Sequence, residues 1–149
     1  IYGDGSQLTG IAGATKEFFI PVMHESATVN VGDFGVFDMD SGDAFMDFFV
    51  PADFSSITAA VVAIIPATTS GTANIDIASD YAASGQASGT HSESDTASTY
   101  NVVSGQIFEI DISGILTSLA AGDYVGIRVT DNTGGGNNAR TLGLRFKYT

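Results

Sequence analysis

The sequence predicts an all-β domain: an antiparallel two-sheet sandwich, a jelly roll or related Greek key of about eight strands with one short helix. Three observations predict it. Apolar and polar residues alternate over segment after segment, as Phe108, Ile110 and Ile112 do against Glu109 and Asp111. Gly, Asn, Asp and Ser punctuate these segments about every ten residues. Helical periodicity is nearly absent. Two sheets packed face to face are the natural way to bury one side of each alternating segment.

The first strand expected is Lys16 to Met23, where Phe18, Ile20 and Val22 alternate with Glu17, Phe19 and Pro21. Proline lacks a ladder donor, which puts this strand on an edge. Val29 to Phe37 is a second strand, interrupted by Gly32 and Gly35. Ala44 to Val50 is a third, with Met46 and Phe48 on one face and Phe45 and Phe49 on the other. Bulk on both faces implies burial on both, or a partner subunit. Thr58 to Ile65 is apolar nearly throughout and is expected at the centre of a sheet. Thr72 to Ser79 turns Ile75 and Ile77 inward. Small polar residues dominate from Gly85 to Ser98, which is expected to be a long surface loop, with a short strand at Tyr100 to Val103 beyond it. Gln106 to Ile112 alternates cleanly. Ile115, Leu116 and Leu119 sit at helical spacing before Gly122, the expected short helix and its left-handed exit. Asp123 to Thr130 and Thr141 to Tyr148 close the chain. In the last of these Leu142, Leu144, Phe146 and Tyr148 are expected to face inward. Residues 1–15 are expected to form an extended arm or linker, and 16–149 the sandwich.

Composition excludes several functions. The chain has 149 residues, 17 acidic and 5 basic side chains, no cysteine and a net charge of -12. Phosphate-directed nucleic-acid binding needs a basic surface, so no nucleic acid is expected as a partner. Anionic membrane surfaces repel such a chain as well. The longest apolar run, Ala59 to Ile65, is far short of the roughly 20 residues of a spanning helix, so no membrane span is expected. Without cysteine there is no disulfide framework, no thiolate chemistry and no cysteine-bound metal. The chain opens on Ile1, as a processed product or a fragment of a longer chain does.

Few residues stand out as carriers of chemistry. Asp38, Asp40 and Asp43 are the best metal candidates, since a hard cation such as calcium takes several oxygens from a turning backbone. No glutamate closes the loop, and the same composition is ordinary for a turn. Asp76 and Asp80 near Asn74 form a weaker second group. His24 and His91 are the two histidines. His91 lies in the polar loop, a poor place to orient a catalytic triad, and His24 is expected on the surface. Gly134-Gly135-Gly136 lacks the Lys-Ser/Thr of a phosphate loop. No cofactor and no enzymatic activity are expected. The ten Phe residues fall mostly on strands, as core or subunit interface, while Tyr2, Tyr81, Tyr100 or Tyr124, if exposed, would serve a ligand.

Residues Ile1 to Ile11, carrying a GDGS-x-LTG segment, resemble a stretch common in bacteriophage fibre and appendage proteins. Phe49 to Phe54, Asp80 to Ala83, His91 to Thr96, Gln106 to Gly126 and Leu142 to Tyr148 are similar to pieces of small β-sandwich virion surface proteins of the decoration, head-fibre and tail-fibre-tip type. The resemblance implies a structural, non-enzymatic role at a virion surface, often as a trimer, with copies of itself and other virion proteins as partners. It implies no catalytic residues.

The residues fit an assembly role in several places. Leu8 and Ile11 in the N-terminal arm are expected to dock on a neighbour, and Phe45 and Phe49 to offer a buried contact. Charge is uneven along the chain: residues 122–149 carry a net charge of +2, and everything before them is acidic. If the last two strands pair, Arg128, Arg145 and Lys147 form one basic patch. It would face either the chain's own Glu109 and Asp111 or the acidic side of a neighbour. Two other functions are compatible with these residues. One is a subunit of an extracellular filament, sheath or tube assembled by strand exchange. The other is an extracellular carbohydrate-binding module with calcium and an exposed tyrosine platform for a glycan.

Overall fold

The computed structural model describes residues 13–23, 28–133 and 139–149. Within them lie eleven strands: β1 (Lys16–Pro21), β2 (Thr28–Val31), β3 (Phe34–Asp38), β4 (Ala44–Phe49), β5 (Ile57–Pro66), β6 (Ser70–Ala83), β7 (His91–Asp95), β8 (Thr99–Val102), β9 (Phe108–Asp111), β10 (Asp123–Asp131) and β11 (Ala139–Tyr148). The helical elements among them are two three-residue 3-10 turns, Met39–Ser41 and Ser113–Ile115.

The strands form two antiparallel sheets. The first runs β2-β3-β11-β5-β9, with β1 also paired to β11. The second runs β4-β10-β6-β7, with β8 also paired to β6. The β2–β3 hairpin is an insertion, and β7 and β8 are two halves of one broken strand along β6. Eight strands then remain. In chain order the first sheet places the first, eighth, third and sixth side by side, and the second places the second, seventh, fourth and fifth. That order is a jelly roll, two interleaved Greek keys.

The core follows the alternation. Val62 and Ile64 of β5, Ile75 and Ile77 of β6, Ile110 of β9, Val125, Ile127 and Val129 of β10, and Leu144 and Phe146 of β11 are buried between the sheets. Aromatic rings fill one end. Phe146 lies 5.1 Å from Phe48 and 5.4 Å from Phe18 between ring centroids, with Phe54 and Tyr148 about it. Tilted ring pairs of this kind add to the burial of large apolar area.

The structure corrects five expectations. The single strand expected at Val29 to Phe37 is a hairpin, because Gly32 takes φ +60 at its turn. The expected loop at Gly85 to Ser98 contains β7, paired with β6 from Tyr81↔His91 to Ile77↔Asp95. The expected short helix is the 3-10 turn Ser113–Ile115, and the chain leaves the following turn through Gly122 at φ +88. Leu142 does not face the core. A β-bulge between Thr141 and Gly143 shifts the alternation by one residue, so Thr141 takes the buried position and Leu142 is half-buried. Finally, Tyr81 is fully buried rather than exposed.

Two further side chains tie strands together within each sheet. Arg145 leaves β11 on the outer face of the first sheet. Its guanidinium donates to Glu109 Oε2 at 2.8 Å on β9 and to Glu17 Oε1 at 3.2 Å on β1. Reaching Glu109 takes it across β5, whose outward Val61 and Ala63 are buried. One arginine thus spans four strands. The two carboxylates, Glu109 foremost, hold its pKa above the ordinary value. On the inner side, the Tyr81 hydroxyl donates to Glu93 Oε1 at 2.8 Å and accepts from Ser118 N at 3.0 Å. Glu93 also accepts from Thr117, hydroxyl at 2.6 Å and backbone N–H at 3.1 Å. This network ties β6, β7 and the loop after the Ser113–Ile115 turn.

Candidate functional site: the outer face of the second sheet

The outer face of β4, β10 and β6 is built in rows set by strand register. Phe45 lies opposite Arg128, which lies opposite Ala78. The next outward row is Asp47, Gly126 and Asp80. The row after it begins with Phe49 and Tyr124. Side chains two apart on a strand share a face, so these rows form one surface. Phe45, Phe49 and Tyr124 are 47%, 49% and 61% exposed. The rings of Phe49 and Tyr124 are 5.1 Å apart at 58°.

Gly126 makes this surface concave. A Cβ there would lie 3.3 Å from Asp47 Oδ1. Without it, a lane overhung by the Asp47 carboxylate runs from Asp47 toward Asp80, whose backbones are about 10 Å apart, two strand spacings. Phe49 and Tyr124 stand at one end, with the β6–β7 turn and Gln86 beside them. Together they line an open groove of about 670 Å³. Gln86 Oε1 accepts from Ala83 N at 3.0 Å, and Gln86 lines the groove. Among the described residues, Asp47 and Asp80 have neither an ion-pair partner nor a hydrogen-bond donor.

The residues singled out in the sequence are distributed differently from expectation. Leu8, Ile11, Tyr2, His24 and Gly134–Gly136 lie outside the described residues. Phe45 and Phe49 share the outer face of β4, while Met46 is buried on the inner face. Arg128, Arg145 and Lys147 do not form one basic patch. β10 and β11 do not pair; they belong to different sheets, so Arg128 stands on one outer face and Arg145 and Lys147 on the other. Arg128 approaches Asp43 at 3.8 Å, and Arg145 is held by Glu17 and Glu109. Asp111 instead accepts from Ser113 N at 2.9 Å.

The acidic turn at Asp38, Asp40 and Asp43 does not gather into a calcium site. Asp38 caps the Met39–Ser41 turn, accepting from Asp40 N at 3.2 Å, and its other oxygen lies 3.6 Å from Arg140 Nε. Asp40 is exposed. Asp43 accepts from the Thr130 hydroxyl at 2.7 Å. The turn thus sends Asp38 and Asp43 to different partners and leaves Asp40 to solvent. Among the described residues, no group of three or more His, Asp or Glu is placed to hold a metal ion. Asp76 accepts from the Asn132 amide, and Asp80 lines the groove. His91 stacks on Tyr81 with centroids 4.9 Å apart.

No protein-family model and no curated protein matches the sequence. Among the described residues, no helix is long and apolar enough to cross a membrane.

Proposed function

We propose that the chain is a non-enzymatic structural subunit of a bacteriophage particle, a surface decoration, fibre or appendage protein that acts by assembling with copies of itself. The observation that carries this reading is the border where β1 meets β4. Among the described residues β1 pairs only with β11, and β4 pairs with β10 and, on its other side, makes the single bridge Met23↔Phe45. Two sheet edges thus lie side by side. An open edge presents unpaired backbone donors and acceptors to another chain. Phe19, Met23 and Phe45 are each close to half exposed along it. Apolar groups clustered on an open edge favour association over a solitary monomer. The jelly roll is compatible with this role, although the fold hosts unrelated functions. The open edge of β1 also favours one second reading, a subunit of an extracellular filament joined by strand exchange.

The test is the mass of the protein in solution, by light scattering after size exclusion, with electron microscopy of the native assembly. Phe19→Glu with Phe45→Glu puts charge on the border of an already acidic body. A trimer or larger assembly that falls to a folded monomer supports the proposal. A wild-type monomer at high concentration, or an assembly indifferent to both charges, overturns it. Images of capsids rather than filaments separate the two readings.

A further inference from the structure

We propose that the groove on the outer face of the second sheet is a binding site for an uncharged or amino-substituted oligosaccharide. Four features of the groove support this, independently of the assembly reading. First, its floor is the Gly126 lane, where the missing side chain lets the Asp47 carboxylate lie low over β10, between β4 and β6, and face the groove. Second, the exposed rings of Phe49 and Tyr124 stand together at one end, 5.1 Å apart. A pyranose has one face of C–H groups, and an exposed aromatic ring is the surface on which that face loses water most favourably. Third, Asp47 and Asp80 flank the lane with acceptor-only oxygens that no side chain of the described residues occupies. Sugar hydroxyls are donors, and a hydrogen bond to an ionised acceptor is roughly twice as strong as a neutral one. The Gln86 amide adds donors for ring and hydroxyl oxygens. Fourth, the volume of about 670 Å³ lies inside the usual range for small-molecule sites and accommodates more than one sugar ring.

The same features set the ligand's charge. A sulfated or carboxylated saccharide would bring its anion beside Asp47 and Asp80 on a chain of net charge -12. Like charges at that range are unfavourable. A cationic peptide matches the carboxylates, but its ammonium or guanidinium groups would have to lose water against a predominantly apolar wall. A sugar ring offers an apolar face to that wall and donor groups to the rim together.

The test uses the full chain, titrated with neutral trisaccharides of glucose, mannose and N-acetylglucosamine, the corresponding glucosamine trimer, a sulfated trisaccharide and a lysine-rich hexapeptide. Binding is followed by calorimetry and by the amide NMR signals of Tyr124 and Gly126. At least one neutral or amino trisaccharide should bind and shift those signals. Tyr124→Ala should weaken it by about tenfold or more, and Asp80→Asn by several-fold. Both side chains are exposed, so the fold and oligomeric mass should be kept in these variants, with at most a small fall in melting temperature for Tyr124→Ala from the lost pair with Phe49. That separates loss of the groove from loss of assembly. Lack of binding by all four neutral and amino trisaccharides at millimolar concentration overturns the proposal. So does binding that survives Tyr124→Ala, a preference for the sulfated sugar, or binding of the peptide alone.

Discussion

Replacing Tyr81 by Phe removes one oxygen from a fully buried ring and leaves its packing and its stack on His91 in place. The oxygen makes two contacts, a donated bond to the Glu93 carboxylate at 2.8 Å and an accepted bond from Ser118 N at 3.0 Å. Hydrogen bonds to charged groups contribute about 1.5–3 kcal/mol. Glu93 keeps its two bonds from Thr117, so its carboxylate is not orphaned, but the Ser118 N–H loses its acceptor. A cost of about 2 kcal/mol follows. At about 2–4 °C per kcal/mol for a chain of this size, the melting temperature should fall by about 4–8 °C. Differential scanning calorimetry at neutral pH measures it. Acid provides the internal check. Hydrogen bonds, that from Thr117 first, hold Glu93 below its ordinary pKa of 4.5. A lowered folded value means that the fold favours the ionised form. That stabilisation is present above about pH 4.5 and is lost as the pH falls through the folded value. The gap between wild type and Tyr81→Phe should therefore narrow in acid. A change under about 1 °C at neutral pH, or a gap independent of pH, would refute the network as a source of stability.

Two other substitutions probe the first sheet. Gly143→Ala places a methyl group 2.4 Å from the Ile20 carbonyl oxygen and 2.5 Å from the Phe19 ring, at φ +157. Since a backbone oxygen has to move, a loss of about 2–3 kcal/mol in chemical denaturation is expected; a neutral result would show that β1 shifts freely on β11. Arg145→Leu keeps an apolar cover over β5 and removes the ties to Glu109 and Glu17. The variant should melt below wild type at low ionic strength, with the difference shrinking toward 1 M salt, where charges are screened beyond about 3 Å. An equal difference at all salt concentrations would assign the role of Arg145 to packing instead.

Much of the fold is legible where one face of a strand is buried. β9, β10 and most of β11 follow from alternation alone, because water on one side and core on the other leave an apolar record at every second residue. β7 leaves no such record. His91-Ser92-Glu93-Ser94-Asp95 has no apolar residue, and it is a strand because β6 offers a ladder and Tyr81 and Thr117 anchor Glu93. The phase shift in β11 had a signal in Gly143, since a glycine inside a strand often marks a bulge. Tyr81 had one too, because it continues the buried phase of Ile75 and Ile77. The separation of Arg128 from Arg145 had none. Alternation says which way a side chain faces but not which sheet its strand joins. The groove is hidden for the same reason. Asp47, Asp80 and Tyr124 come from three strands distant in sequence, and only Gly126, small and mid-strand, hinted at a close approach.

The position of β11 governs when the protein is able to fold. It comes last in chain order among the described strands, yet it pairs with β1, β3 and β5 and lies inside the first sheet. Its Arg145 reaches back 128 residues to Glu17. During synthesis, at about 5–20 residues per second, β1, the β2–β3 hairpin and β5 wait without their common neighbour until β11 has been made. Closure over such sequence distances is slow. The exposed edges of the waiting strands are then open to other nascent copies, and β11 decides whether a sandwich closes on itself or on a neighbour.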